Sequence, residues 1–298
     1  MSKLSLFGNL FKPASLDTIL LKGKDGKFVT LQAMMHIAPA EFYQHVNTNI
    51  KSFLYTHPNG KVFLEGVYNI EGDLESKEQM QQILSGSLFL EKDVELKDLY
   101  QAFAKFLGWD MQSTENYLKG IPDDVLVKAD ISSQEFVRLY NAQKTDKVEQ
   151  GNDQKGNKFA KILADFLDKK DAKITQKDLE EIVQNKDNFS SRIVKPIIKK
   201  GLKTAIASAQ ANQDILKELS IRDPILSSII IDTRNNRLID MIEQADTDIF
   251  VTYGAAHLYC GDFALINALK SRGYELISIG KYKLWLNTNS KDGIFGLF

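Results

Sequence analysis

The chain has 298 residues, 43% apolar and 26% charged, and its 38 basic and 39 acidic residues nearly cancel. This length suffices for one large α/β domain or for a core that carries a second module. The charge balance disfavours nucleic acid as a partner, because proteins that bind phosphates normally carry a basic excess. The single cysteine, Cys260, excludes an internal disulfide and a thiolate zinc site, and it is typical of a reducing compartment.

The ends of the chain carry no sign of a membrane segment. Charge and polarity return too soon after Met1 for a signal peptide, and no run approaches the roughly 18 apolar residues of a membrane helix. We therefore expect a cytoplasmic protein with no transmembrane segment. The apolar stretches 6–11 and 294–298 leave three explanations open: packing on the body, which we favour, burial in a homodimer, or contact with a membrane.

The first elements form a strand–helix–strand unit. A turn at 23–26 precedes a β-branched, apolar run at 27–35, which predicts a strand that ends at His36. Apolar residues at helical spacing after Pro39 predict a helix that stops before the turn cluster 57–60. The nearly continuous apolar run 61–67 is typical of a strand buried on both faces in a parallel sheet.

The middle of the chain has a different pattern. From about 73 to 220 we find amphipathic helical patterns, such as 96–107 and 159–167, and no convincing strand. A polar stretch with glycines at 144–157 predicts a loop. We therefore expect residues 74–220 to form an all-helical insertion, or cap, between two parts of an α/β core at 1–73 and 221–298.

The last third returns to alternating elements. A helical pattern covers 224–245, a strand covers 248–253, and a helix covers 262–272 and ends at Gly273. Two further strands, 275–279 and 283–286, are expected on either side of Gly280. The predicted fold class is α/β, with a mostly parallel sheet and flanking helices, split by the helical insertion.

Three polar residues lie at corresponding places on three predicted strands: His36 at the carboxyl end of the first, Glu65 near the carboxyl end of the second, and His257 just past the carboxyl end of the strand 248–253. In open α/β sheets, ligands bind in the crevice outside the carboxyl ends of the strands. A crossover connection often makes consecutive parallel strands neighbours, about 4.8 Å apart. We therefore expect His36 and Glu65 to share one small site.

Imidazole and carboxylate groups suit two kinds of chemistry. With a metal they supply nitrogen and oxygen ligands and leave positions for water. Without a metal, a His–Glu pair acts as a general base and the group that orients it. A structural, hydrogen-bonded role for each residue also stays open.

Arg234 is a fourth candidate. It interrupts an otherwise apolar helix face through Leu226, Ile230, Leu238 and Met241. A guanidinium in the core needs a partner, because an unpaired buried charge is very costly. The arginine either orients Glu65, stabilises an oxyanion or forms a structural ion pair. In the segment Gly254-Ala-Ala-His257, small residues leave space around the imidazole.

These candidates lie in segments that together resemble one known family, the TraB/GumN/PrgY/TIKI group, which is related in fold to erythromycin esterases and ChaN-like proteins. The similarity covers about 27–73 and 224–286. The segments are Gln32-Ala-Met-Met-His36, Val62-Phe-Leu-Glu65, Thr233-Arg-Asn-Asn-Arg-Leu-Ile-Asp-Met241, Val251-Thr-Tyr-Gly-Ala-Ala-His-Leu258 and Ser271-Arg-Gly-Tyr-Glu275.

The family pattern has two Gly-x-x-His motifs, a glutamate on a strand after the first, and an Arg-Asn or Arg-Asp helix before the second. The second motif matches at Gly254 and His257, whereas the first has Ala33 where the family commonly has glycine. The resemblance implies a metal-dependent hydrolase: animal members are proteases, and the related esterases open lactones. It implies a divalent metal (Mn, Co or Zn) held by His36, Glu65 and His257. In the alternative that it allows, the histidines act as the base and Glu65 activates water. In either case Arg234 would support the oxyanion.

Three hypotheses follow. In the first, the protein is a metalloprotease-like or esterase-like hydrolase that cleaves an amide or ester bond in a peptide or small molecule, and the helical insertion selects the substrate. In the second, the same pocket binds a peptide or other ligand without turnover. In the third, a degenerate hydrolase core carries a helical interaction scaffold.

Overall fold

A computed structural model describes residues 15–87, 90–146, 173–187, 195–196, 198–199, 224–259 and 264–283. Several predicted features lie outside these residues: the helix at 159–167, most of the loop at 144–157, both apolar ends of the chain, Cys260, and residues 284–286. No helix in the described part of the chain is long and apolar enough to span a bilayer.

The strands of the described residues are β1 (Ser15–Lys22), β2 (Phe28–Met34), β3 (Ile37–Ala38), β4 (Lys61–Leu64), β5 (Asp110–Met111), β6 (Leu126–Lys128), β7 (Ile249–Gly254) and β8 (Glu275–Lys283). The α-helices are α1 (Ala40–Thr56), α2 (Leu74–Ser87), α3 (Leu96–Leu107), α4 (Thr114–Tyr117), α5 (Ser133–Asp146), α6 (Gln176–Gln184), α7 (Pro224–Ser228), α8 (Arg234–Gln244), α9 (Ala255–Tyr259) and α10 (Leu265–Ser271). A 3-10 helix covers Asp123–Val125, and a π-helical segment, Ile229–Thr233, joins α7 to α8.

The main sheet has six strands in the order β6-β4-β7-β2-β1-β8. The contacts β6–β4, β4–β7 and β7–β2 are parallel, while β1 is antiparallel to both β2 and β8. The protein therefore has an α/β fold with a mostly parallel central sheet and flanking helices, as the sequence predicts. A separate pairing of β3 with β5 brings residues 110–111 beside the chain that follows His36.

The largest hydrophobic core packs the sheet against helices α1 and α8. Helix α1 buries an apolar stripe at helical spacing, and its observed bounds confirm the predicted helix that stops before residue 57. Every residue of β7 from Ile249 to Tyr253 is buried, as expected for an inner strand of a parallel sheet. The stripe of α1 consists of Phe42, Tyr43, Val46, Ile50 and Phe53.

One prediction about the sheet is wrong: the strands that precede His36 and Glu65 are not neighbours. Strand β7, from the last third of the chain, lies between β2 and β4 and pairs with both. The usual adjacency of consecutive parallel strands fails here because β7 inserts between them. The consequence is favourable to a site, because β7 leads to His257 and places it between His36 and Glu65.

The prediction that residues 74–220 are wholly helical is also wrong. Strand β6 lies in this range and forms the edge of the main sheet beside β4, and β5 pairs with β3. With only three and two residues, these strands are too short to show a periodic pattern in the sequence. The middle of the chain thus contributes a strand to the α/β core.

The antiparallel end of the sheet also differs from the prediction. Residues 15–22 form β1, which the sequence reading omitted, and a turn at 23–26 connects it to β2. The expected break at Gly280 does not occur, since β8 runs without interruption from Glu275 to Lys283. Pairing of Gly280 with Thr18 of β1 supplies the backbone partner that keeps this glycine in the strand.

Candidate functional site

The carboxyl ends of four parallel strands meet at one edge of the sheet, and each strand is followed by an ionisable residue. His36 follows β2, Glu65 follows β4, Asp130 follows β6, and His257 lies in α9 directly after β7. This edge is where ligands bind in open α/β sheets. The structure therefore brings the three predicted residues to one edge and adds a fourth, Asp130.

Glu65 is the centre of this group. Its side chain is 7% exposed, and Oε1 accepts a hydrogen bond from Nη2 of Arg234 at 3.1 Å and lies 3.2 Å from Nε2 of His257. Its Oε2 accepts from the backbone N–H of Gly254 at 2.5 Å. The backbone N–H of Glu65 donates to the carbonyl of Thr252, which extends the pairing of β4 with β7 and fixes where the side chain begins.

The surroundings of Glu65 keep its carboxyl group ionised. Burial alone would raise the pKa of Glu65, but the positive charges of His257 and Arg234 outweigh that effect and hold the pKa well below its usual range. A buried carboxylate with two cationic partners is the kind of perturbed group that concentrates at functional sites.

Arg234 lies between two carboxylates. Its Nε donates to Oδ1 of Asp130 at 2.9 Å and its Nη2 donates to Oδ2 of Asp130 at 2.6 Å, while Nη2 also reaches Glu65. Burial alone would lower the pKa of Arg234, but Asp130 and then Glu65 reverse this and raise it. Arg234 is buried as predicted, and it pairs both with Glu65 and, through two nitrogens, with Asp130, so two of the alternatives from the sequence, orientation of Glu65 and a structural ion pair, stay open.

The helix around Arg234 has an irregular turn that sets its position. The π-helical segment Ile229–Thr233 ends directly before Arg234, which starts the regular helix α8. A π-helical turn rotates the residues that follow it relative to a continuous α-helix, and such turns are frequent at functional sites. Arg234 and the next residue, Asn235, are both buried and both face the site.

Asn235 fixes the orientation of His257. Its Nδ2 donates to the backbone carbonyl of His257 at 2.9 Å, so its Oδ1 faces the ring and lies 2.7 Å from Nδ1. An amide oxygen only accepts, which requires a proton on Nδ1. Nε2 lies 3.2 Å from Oε1 of Glu65 on the other side, so each nitrogen of the ring faces an acceptor oxygen.

His36 is on the solvent side of the site. Part of its surface is open to solvent, and its ring stacks on the ring of Tyr100 with centroids 4.9 Å apart. The surrounding protein displaces much of its hydration, and this burial lowers the pKa of His36; Glu65 opposes the shift, and Arg234 and His257 add to it. His36 is therefore a neutral imidazole at pH 7, within electrostatic reach of the other three residues.

The middle of the chain forms the wall beside His36. Tyr100 comes from α3, and burial, followed by the charge of Glu65, raises its pKa to about 12, so the phenol stays neutral. The backbone N–H of Gln112, just after β5, donates to the carbonyl of His36 at 2.8 Å. These contacts restrain His36 from the side opposite the sheet.

Gly254 allows the close approach of β7 to Glu65. A Cβ atom at this position would lie 3.3 Å from Oε2 of Glu65, a distance tighter than most real Cβ contacts. The absence of a side chain lets the backbone N–H of Gly254 reach the carboxylate. This observation gives a physical reason for the glycine of the second Gly-x-x-His segment.

The metal site of His36, Glu65 and His257 that the resemblance implies stays a prediction. Within the described residues, no group of three or more His, Cys, Asp or Glu side chains is arranged to hold a metal ion. Both oxygens of Glu65 accept hydrogen bonds from protein donors, and Nε2 of His257 is directed at Oε1 of Glu65 at 3.2 Å. We derive no step through a metal from this arrangement.

Sequence reasoning missed three residues of the site: Asp130, Asn235 and Tyr100. Asp130 follows a strand of only three residues, and Tyr100 belongs to an amphipathic helix whose pattern indicates packing alone. Asn235 carried a signal, because it stands next to Arg234 in the quoted Arg-Asn segment.

Comparisons with protein-family models, with curated proteins and with solved structures find no match for this chain.

Proposed function

We propose that the protein is a hydrolase that cleaves an amide or ester bond in a peptide or small molecule. One observation carries the proposal: a buried, ionised Glu65 joins Arg234 and His257, while the neutral imidazole of His36 faces solvent at the same edge of the sheet. Buried ionisable groups are costly, and a purely apolar core would often be at least as stable. A cluster of this kind therefore favours a chemical role.

His36 is the general base of this proposal. A neutral imidazole open to solvent takes a proton from a water molecule as the water oxygen attacks the carbonyl carbon of the substrate. When the C–N or C–O bond breaks, His36 returns that proton to the leaving nitrogen or oxygen, so the ring ends neutral as it began. The stacked ring of Tyr100 holds His36 in orientation.

The buried cluster supplies electrostatic stabilisation. Arg234 and the ring of His257 place hydrogen-bond donors where the carbonyl oxygen becomes an oxyanion, and such preorganised electrostatic stabilisation is usually the largest contribution to catalysis. Glu65 balances this charge in the resting site and holds both cations at fixed distances. Asn235 keeps the ring of His257 from turning.

The resemblance to the TraB/GumN/PrgY/TIKI group supports the same class of reaction. Its two histidines, its glutamate and its arginine correspond to the residues that meet here, although Ala33 replaces the usual glycine. We propose membership of this group and, with it, peptidase-like activity. A divalent metal (Mn, Co or Zn) stays a prediction that requires a rearrangement of the ligands described above, and its test is direct metal analysis.

The proposal is tested by hydrolysis of a panel of esters, amides and peptides, with chelator and with each of the three metals. We expect turnover by the wild-type protein and a loss of about 100-fold or more in His36→Gln, as for the loss of a general base. We expect a comparable loss in Glu65→Gln, because that variant lacks the charge that holds Arg234 and His257 in place. His57→Gln is the matched control, because His57 precedes β4 and lies at the opposite end of the sheet.

Two results would contradict the proposal. One is hydrolysis that is unchanged in both His36→Gln and His257→Gln. The other is recovery of an intact bound ligand after long incubation, without turnover of any panel member, which would favour the alternative of a binding protein. Native mass spectrometry of wild type and His257→Gln reports metal stoichiometry in the same samples.

A further inference from the structure

Asp130 is the buried ionisable residue of the site that takes no part in the proposed chemistry. Asp130 is 1% exposed and lies in the middle of the chain, just after the edge strand β6. We infer that Asp130 is a positioning residue: it holds the guanidinium of Arg234 in the one orientation that presents Nη2 to Glu65. This inference rests on the proposed function, because positioning matters only if Arg234 acts on a substrate.

The carboxylate of Asp130 is fixed by backbone donors. Oδ1 accepts from its neighbour Ile131 N–H at 2.8 Å, and Oδ2 accepts from Gly66 N–H at 2.8 Å. Gly66 has φ 138°, a left-handed region that favours glycine, and this turn directs its N–H toward Asp130 immediately after Glu65. Two rigid backbone groups thus set the plane of the carboxylate before Arg234 binds.

Arg234 meets this fixed carboxylate with two of its nitrogens. Nε and Nη2 both donate to Asp130, at 2.9 and 2.6 Å, in the planar fork that an arginine forms with a carboxylate. Arg234 donates only one bond to Glu65, from Nη2 at 3.1 Å. Asp130 therefore determines the orientation of the guanidinium, and the contact with Glu65 follows from it.

The arrangement also prevents Arg234 from forming a two-nitrogen pair with Glu65. Such a pair would satisfy Glu65 without His257, and the ring would lose the partner that lies 3.2 Å away. Because Nε and Nη2 of Arg234 donate to Asp130, Oε1 of Glu65 stays available to both Arg234 and His257. A lysine at 234 would lack the fork and could not be held in this way.

The kinetic test compares Asp130→Asn, Asp130→Glu and the control Asp178→Asn. Asp178 is a similarly buried aspartate, in the capping turn of α6 and outside the described site. We expect Asp130→Asn to lower kcat about 100-fold with KM unchanged, as for loss of a group that acts only in the transition state. Asp130→Glu keeps the negative charge but displaces the guanidinium of Arg234, so we expect an intermediate kcat. Asp178→Asn is expected to keep the wild-type kcat.

A readout that needs no activity follows the guanidinium itself. The chain has six arginines, so arginine-selective 15N labelling gives few Nε–H signals, and Arg234→Lys identifies that of residue 234. We expect this signal to be protected from solvent exchange in wild type and in Asp178→Asn, and to shift and lose protection in both Asp130 variants.

The outcomes separate the two proposals. If no substrate is hydrolysed, the proposed function fails, while the Arg234 signal still decides whether Asp130 holds the guanidinium. A folded Asp130→Asn protein with wild-type kcat or an unchanged Arg234 signal overturns the inference. If thermal denaturation shows that Asp130→Asn is unfolded, Asp130→Glu decides: wild-type kcat and an unchanged signal in that variant also overturn it.

Discussion

Nε2 of His257 lies 3.2 Å from Oε1 of Glu65, although the two residues come from opposite thirds of the chain. The contact exists because β4 and β7 are parallel neighbours, so their carboxyl ends open onto the same crevice. Each residue carries a second restraint, Arg234 on Glu65 and Asn235 on His257. Substitutions in this site can therefore change the position of these side chains or their charge separately.

Replacement of Gly254 tests the close approach of β7 to Glu65. In Gly254→Ala the new Cβ would press on Oε2 at 3.3 Å, so the carboxylate must move by a few tenths of an ångström. Because small displacements of positioned groups reduce rates strongly, we expect hydrolysis to fall about tenfold or more with a small change in stability. Gly86→Ala is the control, since nothing lies within 4 Å of its Cβ position and the substitution favours helix α2. Equal rates in the two variants would contradict the prediction.

Asn235 is expected to matter through His257. Asn235→Ala removes both hydrogen bonds to His257 and leaves the ring free to turn. It also leaves the buried backbone carbonyl of His257 without the donor Nδ2. We expect a 10- to 100-fold loss of activity, as is typical for groups that orient a functional histidine, and a stability loss of about 1–3 kcal/mol. Initial rates and urea denaturation measure the two effects. Asn236→Ala, on the next and less buried position, should retain activity.

The pH dependence of stability reports the ionised state of Glu65. Its pKa is lowered in the folded protein, so its contribution to stability is complete above its ordinary pKa of 4.5 and is lost as pH falls below that value. We expect the free energy of unfolding of the wild type, measured by urea denaturation, to fall by up to about 1.4 kcal/mol per pH unit below pH 4.5 because of this group. In Glu65→Gln this part of the slope should disappear, whereas the exposed control Glu78→Gln should keep it.

The pH dependence of hydrolysis reports His36. Burial lowers its pKa below the ordinary 6.5, so the base should be neutral and competent at pH 7 and should protonate only in more acidic solution. We expect kcat/KM to rise with pH and to reach half its plateau below pH 6.5. In His36→Gln this rise of kcat/KM with pH should be absent. A midpoint above 6.5, or the same limb in the variant, would argue against His36 as the base.

Tyr100 provides a test of how His36 is held. Tyr100→Phe keeps the ring that stacks on His36, while Tyr100→Ala removes it. We expect near wild-type rates for the phenylalanine variant and a loss of about tenfold for alanine, because a loosened base spends less time in the reactive geometry. Tyr55→Ala, at an exposed position on α1, controls for loss of an aromatic ring.

Much of the fold was accessible from local sequence signals. The helix after Pro39 and the strands before His36, Glu65 and His257 have long apolar patterns and clear turn residues, and they were predicted in the right order. Strand β6 was not predicted because its three residues show no periodic pattern, and β1, at residues 15–22, was not predicted either. The order of the strands was not predictable, since pairing of β7 with both β2 and β4 depends on contacts across the whole chain.

The same division holds for the site. The sequence by itself determined which strand ends carry His36, Glu65 and His257, and that Arg234 on an apolar helix face needs a partner, because these statements follow from periodicity and the cost of burying charge. Only the tertiary structure decided that Asp130 is that arginine's main partner and that Asn235 orients His257. Those contacts join segments far apart in the chain, and their angles and distances arise only when the sheet and helix α8 have packed together.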